Sequence, residues 1–379
     1  MNEMLQKGPD PASSDWYRDP AHLLGELQRS RIAPLSAVPS INGYDHLHQL
    51  HRGGQGIVYR AVQRSTRRTV AIKVLLEGAF ASPANRRRFE REIELVAELR
   101  HPNIVRVYDS GVTPDGHLYF VMEYIEGTSL DKATLDSPPR PRSDSPSRVQ
   151  DQESRVDTVL QLFATICDAI SYAHQHGTIH RDLKPSNIRV DAAGQPHVLD
   201  FGLAKTLAGT GIPSGSGTEK SSESGQAVSN PQSAIRNLTV TGQFMGSLPW
   251  ASPEQAEGRP DRIDVRTDVY ALGVMLYQAL TGQFPYPVVG SLRSTLNNIL
   301  TVQPARPSSL ATHLDDELDT IVLKCLAKEP ERRYQSAVEL GRDLRCYLAG
   351  EPIEAKRDSA WYTLTGVPPS HRIYLHVLA

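Results

Sequence analysis

An α+β fold of two unequal lobes, a small β-rich lobe and then a larger α-helical one, is what the sequence predicts. Two observations carry that expectation. β-Branched runs around glycines fill the chain from Tyr44 to Tyr124, with one helical stretch among them. Beyond Trp250 the apolar residues recur at helical spacing instead. The 379 residues, 39% of them hydrophobic and 22% charged, supply enough apolar material for a sizeable core. Lys and Arg number 41 against 43 Asp and Glu, and a net charge of −2 argues against a protein built mainly to hold a polyanion.

Taken in order, residues 1–43 mix Pro, Ser and charge without period and read as a flexible arm. His48–Val62 and Arg68–Leu76 read as strands around a glycine turn. Asn85–Leu99 reads as a helix, because Phe89, Ile93, Val96 and Leu99 share a face, and His101-Pro102 stops it. Ile104–Tyr108 and Leu118–Tyr124 are two further strands, which closes a smaller lobe over 44–126. The larger lobe, 127–350, opens with a Pro/Ser/Arg-rich segment, 136–155, expected to be an exposed insertion. Val156–His176 is a long helix with an apolar stripe, 177–205 is rich in loops, and the Gly/Ser-rich 208–237 reads as a disordered insertion. Helices are expected at Asp268–Leu280, Glu317–Ala327 and Ser336–Leu348, and the tail 351–379 carries no pattern. The first residues lack the apolar stretch of a signal peptide. The longest apolar run, Val269–Tyr277, falls short of the roughly 18 residues a membrane span needs. Three scattered cysteines, Cys167, Cys325 and Cys346, form no C-x-x-C pair and fit a reducing compartment, so a cytoplasmic protein without a membrane span is expected.

The polar residues carry the chemistry. Gly53, Gly54 and Gly56 lie between two strands, where bare backbone can approach a phosphate; a plain hairpin turn is the simpler reading of the glycines alone. Lys73 closes the run Val70-Ala71-Ile72, and Glu92 on the next helix is a partner that a Lys held in a cleft would need. His180-Arg181-Asp182-Leu183-Lys184-Pro185-Ser186-Asn187 sets an acid, a base and an amide in one loop. Asp182 can take a proton from a hydroxyl, Lys184 can neutralise a phosphoryl group and Asn187 can ligate a metal. Asp200, before Phe201 and Gly202, offers a second oxygen ligand for Mg²⁺ at the end of a strand.

In this order the motifs resemble those of a Hanks-type protein kinase, most closely the bacterial serine/threonine kinases, over Tyr44 to Gly350. The resemblance implies a bilobal protein-kinase-like fold, ATP and Mg²⁺ as ligands, and Ser/Thr hydroxyls of proteins as acceptors. It implies that His51, Gly53, Gly54 and Gly56 form the loop over the ATP phosphates and that Val58 and Ala71 roof the pocket. Lys73 would hold the α- and β-phosphates and pair with Glu92, and Met122, Glu123 and Ile125 would form the gatekeeper and hinge against adenine. Asp182 would be the catalytic base, Lys184 its neighbour on the γ-phosphate, and Asn187 and Asp200 the metal ligands. Ser252-Pro253-Glu254 matches the A-P-E segment, Asp268 the buried Asp of the following helix, Arg333 the partner of Glu254, and Ser247 the hydroxyl set beside the base. Thr239 and Thr241 resemble autophosphorylated threonines, and Arg181, taken as a buried cation, would receive their phosphates.

Departures from the pattern are His51 in place of the first glycine, Arg189 where a Leu or Met usually lies under adenine, and Ser252 for Ala. The alternatives are a pseudokinase scaffold, against which Lys73, Asp182 and Asp200 all stand, and a small-molecule phosphotransferase, against which the Ser-Pro-Glu segment stands. Nucleic acid is not an expected partner, because Arg86–Arg88 reads as a solvated helix face.

Overall fold

The computed structural model describes residues 39–54, 56–76, 83–135, 147–201 and 247–356. Strands β1 (Tyr44–Arg52), β2 (Gly56–Gln63), β3 (Thr69–Leu75), β4 (Val107–Val112) and β5 (Leu118–Glu123) form one antiparallel sheet in the order β1-β2-β3-β5-β4. Every residue of β3 after Thr69 is buried, which explains its continuous apolar run: a central strand covered on both faces has no solvent side to alternate with. In register, Lys73 stands opposite Val58 and Ala71 opposite Met122. Val58, Ala71, Lys73 and Met122 therefore share one face of the sheet. Helix α1 (Pro83–Ala97) buries Phe89, Ile93 and Val96, which join Ala71, Leu75, Phe120 and Met122 in one core.

Gly56 is required by packing within this sheet rather than by a ligand alone. A Cβ there would lie 2.4 Å from the Val74 carbonyl oxygen, so β2 could not close on β3. The expected His48–Val62 strand is in fact two strands, with the glycine turn inside it closed by Gly53 N–H donating to the Gly56 carbonyl at 2.9 Å.

The larger lobe follows with β6 (Gly127–Ser129), α2 (Leu130–Leu135), α3 (Ser147–Gln175), β7 (Ile188–Asp191) and β8 (Pro196–Val198). After them come α4 (Pro253–Ala256), α5 (Val265–Thr281), α6 (Leu292–Thr301), α7 (Pro307–Leu310), α8 (Asp316–Cys325) and α9 (Ala337–Ala349). Strands β6, β7 and β8 pair in that order, and β8 is tied to the smaller lobe by Val105 N–H donating to the Val198 carbonyl and Val198 N–H to that of Asn103. Helix α5 is buried almost throughout, capped by Asp264 at its start and by Gly282 in the left-handed conformation at its end.

Helix α3 begins at Ser147, so residues 147–155, expected in an exposed insertion, belong to the helix. Gln, Glu and Arg are good helix formers without an apolar stripe, and residues 152–155 are exposed, which is why periodicity missed them. Among the described residues, the stretch Gln152–Gln175 is the one helix long and apolar enough to cross a membrane. Its Val159, Leu160, Phe163, Ile166, Cys167 and Ile170 are buried in the core of the larger lobe. The loop-rich stretch 177–205 holds β8, the strand expected just before Asp200, and also the short strand β7, which is not expected; α6 has no counterpart in the sequence expectations. The expected strand Ile104–Tyr108 lies instead at Val107–Val112, with Ile104 making an isolated bridge to Val198. The boundary at 350 also moves: Ile353 is fully buried, and the N–H groups of Glu354 and Ala355 donate to Asp343 at 2.8 and 3.0 Å. The proposed arm up to residue 38, insertion 208–237 and the tail from 357 lie outside the described residues.

Candidate active site

The catalytic loop is held from below by one buried carboxylate. Asp268, on α5, accepts from the backbone N–H of His180 at 2.8 Å and of Arg181 at 2.9 Å, and from His174 Nε2 at 2.8 Å. Burial by itself would raise the Asp268 pKa; the bond and charge of His174 outweigh it and hold the carboxyl below its usual range. His174 escaped the sequence reading, since it lies six residues before the loop in a helix recognised only by its apolar stripe. Asp268 leaves Arg181 at φ +63°, an uncommon left-handed backbone for a non-glycine residue.

His180 is fully buried, and burial pushes its pKa down, so the ring is neutral. Its Nδ1 accepts from the Asp182 N–H at 3.3 Å and its Nε2 faces the Leu199 carbonyl at 2.8 Å, which assigns the proton to Nε2. One imidazole thereby fastens the loop bearing Asp182 to the strand end bearing Asp200.

Asp182 is 4% exposed, and Lys184 and Asn187 converge on it. Lys184 Nζ lies 3.0 Å from its Oδ2 and donates to Ser247 Oγ at 2.8 Å. Asn187 Nδ2 donates to the Asp182 carbonyl at 2.8 Å and to its Oδ2 at 3.2 Å. With the amide nitrogen committed, the Asn187 side-chain oxygen is the atom suited to a cation. The Gln255 N–H donates to Ser252 Oγ at 3.3 Å and its side-chain Nε2 donates to the Arg181 carbonyl at 2.8 Å, which ties the Ser252-Pro253-Glu254 segment to the loop. That segment is anchored in turn by Glu254, which takes both terminal nitrogens of the buried Arg333 at 2.9 Å.

Across the cleft, Lys73 Nζ donates to Asp200 Oδ2 at 2.8 Å. The expected Lys73–Glu92 pair is not formed: α1 turns Phe89, Ile93 and Val96 inward, Glu92 stays half-buried at the edge, and Asp200 is the carboxylate within reach. Asp200 has φ +47°, and its second oxygen, Oδ1, is buried without a hydrogen-bond partner. A buried carboxylate oxygen left over in this way fits a cation. Among the described residues no group of three or more His, Cys, Asp or Glu is placed to hold a metal. Asp200 Oδ1 and the Asn187 side-chain oxygen are two oxygens of the kind that Mg²⁺ takes from a protein, the rest of its shell coming from phosphate and water.

At the other end of the cleft stand the hinge and the glycine turn. Met122 is buried at the end of β5, Glu123 and Ile125 follow half-buried, and the Ile125 N–H makes no bond to any described backbone group. His51 is exposed, opposite Val58, with its Nε2 3.3 Å from where a Cβ on Gly53 would stand; Gly54 is exposed beside it. Arg181, expected as a buried cation, is exposed, because its backbone rather than its side chain is turned into the lobe. Thr239, Thr241 and Gly202 lie outside the described residues.

Comparison with known proteins agrees with this geometry. Residues 44–341 match the family described as protein kinase domain. The serine/threonine-protein kinase PknB of Mycolicibacterium smegmatis is 35% identical over 327 residues, 84% of this chain and 46% of the relative. PknB of Mycobacterium tuberculosis is 36% identical over 309 residues, 80% of this chain and 43% of the relative. The chain thus spans less than half the length of these relatives. A crystal structure of the Mycobacterium tuberculosis PknI kinase domain superposes with a TM-score of 0.56 at 25% identity, covering 83% of this chain and all of that one. Fold, family pattern and relatives agree, and the chain belongs to the protein kinase family, among the bacterial Hanks-type serine/threonine kinases.

Proposed function

We propose that the chain transfers the γ-phosphate of ATP to Ser or Thr hydroxyls of protein substrates, with Mg²⁺. The convergence of Lys184 and Asn187 on Asp182, with Ser247 bonded to Lys184, together with the Lys73–Asp200 pair, carries this reading. In the transfer, the acceptor oxygen attacks the γ-phosphorus while Asp182 takes the hydroxyl proton, and the bond to the β–γ bridging oxygen breaks, leaving ADP. Lys184, already 3.0 Å from Asp182, is placed to neutralise the phosphoryl group as it moves. Lys73 would hold the other phosphates. Asn187 and Asp200 would hold Mg²⁺, which when bound neutralises charge on the phosphate oxygens. Ser247, buried beside Lys184, supports an aliphatic hydroxyl as acceptor.

A scaffold that binds nucleotide without turnover is the rival reading, and Lys73, Asp182 and Asp200 gathered at one cleft favour turnover. The expected result is incorporation of labelled phosphate from ATP into a generic protein substrate, on Ser and Thr. Asp182→Asn and Asp200→Ala should each lower that rate by a factor of about a thousand or more. Labelling by Asp200→Ala equal to that of the unchanged protein would refute the mechanism. Autophosphorylation at Thr239 and Thr241 is part of the proposal; mass spectrometry should find it in the unchanged protein and not in Asp182→Asn.

A further inference from the structure

Arg181, the residue before Asp182, carries the strained backbone of the catalytic loop. It sits at φ +63°, a conformation that a side chain disfavours and that persists only where neighbours hold it. Both of its backbone polar groups are held. The N–H donates to Asp268 Oδ1 at 2.9 Å, and the carbonyl accepts from Gln255 Nε2 at 2.8 Å. Asp268 reaches the loop from α5, whereas Gln255 reaches it from α4, 74 residues after Arg181.

Gln255 is buried and committed at both ends of its amide. Its Oε1 accepts from the Ser252 N–H at 3.1 Å, and its own backbone N–H donates to Ser252 Oγ at 3.3 Å, a capping box that starts α4. The amide is oriented by its partners, oxygen toward a donor and nitrogen toward a carbonyl. Its neighbour Glu254 is fixed on Arg333, so the base from which Gln255 reaches out is anchored. Further back, the same segment meets the loop through Ser247, whose Oγ accepts from Lys184 at 2.8 Å. These two side-chain bonds, at residues 181 and 184, bracket Asp182.

We propose that Gln255 is a positioning residue for phosphoryl transfer: by holding the Arg181 carbonyl it fixes the backbone that aims Asp182, and it couples that aim to the segment carrying Ser247. The inference rests on the reading of Asp182 as the base. Capping α4 uses the side-chain oxygen of Gln255, whereas positioning uses its nitrogen, and substitution separates the two. Gln255→Glu keeps an acceptor for the Ser252 N–H and sets an oxygen against the Arg181 carbonyl. Gln255→Met removes donor and acceptor without adding charge. Ser252→Ala removes one bond of the cap and leaves the bond to Arg181 in place.

The full chain and each variant are compared in transfer to a generic protein substrate, in ADP binding by calorimetry and in amide hydrogen exchange by mass spectrometry. Gln255→Glu and Gln255→Met should both lower kcat by about tenfold or more, because a misplaced catalytic group costs rate steeply. KM for ATP and Kd for ADP should stay within about twofold, since the lost bond acts on the base and not on the bound nucleotide. Exchange in the loop 180–187 should speed up in both variants. Ser252→Ala should hold kcat within about twofold and leave that exchange unchanged, even where it lowers the melting temperature. Referring kcat to the ADP-binding fraction of each preparation keeps partial unfolding from imitating the effect. A kcat within about twofold of the parent in either Gln255 variant, ADP affinity lost in step with kcat, or a loss in Ser252→Ala as deep as in the Gln255 variants overturns the inference and leaves the transfer reading intact. An unchanged chain that transfers no phosphate overturns both.

Discussion

Arg333 shows at the residue scale how a fully buried charge is made tolerable. All five of its N–H groups are used: Nε on the Ala327 carbonyl, and the terminal nitrogens on both Glu254 oxygens and the Arg266 and Lys328 carbonyls. Its guanidinium also lies 4.9 Å from the Tyr270 ring centre. Burial alone would raise the Glu254 pKa, but the bonds from Arg333 and Thr267 hold it below the usual carboxylate range. Arg333→Met should therefore destabilise the chain by about 3–5 kcal/mol in urea unfolding, because it strands a buried carboxylate. The double change Arg333→Met with Glu254→Leu should recover part of that loss, and a double variant less stable than the single one would contradict this account. The pair itself was legible from sequence, since both residues sit at recognisable motif positions. The other three acceptors of Arg333 were not, being main-chain carbonyls that no side-chain pattern encodes.

Elements were legible where a single period ran through them and blurred where it did not. Helix α5 and strand β3 stood out because nearly every residue is apolar and buried. Helix α3 lost its first turns to a polar sequence, and α6 was missed because only Thr295, Leu296 and Ile299 of its ten residues are buried. Packing between elements was the least visible. Gly273, in the middle of α5, looks like a helix-weakening residue in sequence, yet a Cβ there would lie 2.4 Å from Cys325 Cβ on α8. Helices α5 and α8 therefore touch through a missing side chain. Gly273→Ala, which on helix propensity alone would stabilise α5, is expected to destabilise the larger lobe by about 1–3 kcal/mol through overpacking. A melting temperature equal to or above that of the parent would show that the helices can separate at no cost.

Across the whole molecule, two buried carboxylates hold the larger lobe together below the cleft: Asp268 under the catalytic loop and Glu254 under the segment that carries Ser247. Both have pKa values below those of the unfolded chain. Their stabilisation is complete above the ordinary carboxylate range and is lost as pH falls through the folded-state values, since protons then bind the unfolded chain preferentially. The melting temperature should accordingly be flat between about pH 5 and 7 and fall steeply below about pH 4, with a shallower fall in the Arg333→Met, Glu254→Leu double variant. An equally steep fall in both would place the acid sensitivity elsewhere. The sequence by itself determined the two-lobe α+β organisation, the family, and the identity of Lys73, Asp182, Lys184, Asn187 and Asp200, because local periodicity and motif spacing are properties of the chain order alone. Which of these groups touch was decided only by tertiary structure. Lys73 meets Asp200 rather than Glu92, Arg181 points outward instead of lying buried, His174 props Asp268, and Arg189 is pinned to Gly127. Each of those outcomes depends on where distant strands and helices bring side chains in three dimensions, within the few ångströms over which a hydrogen bond or ion pair acts.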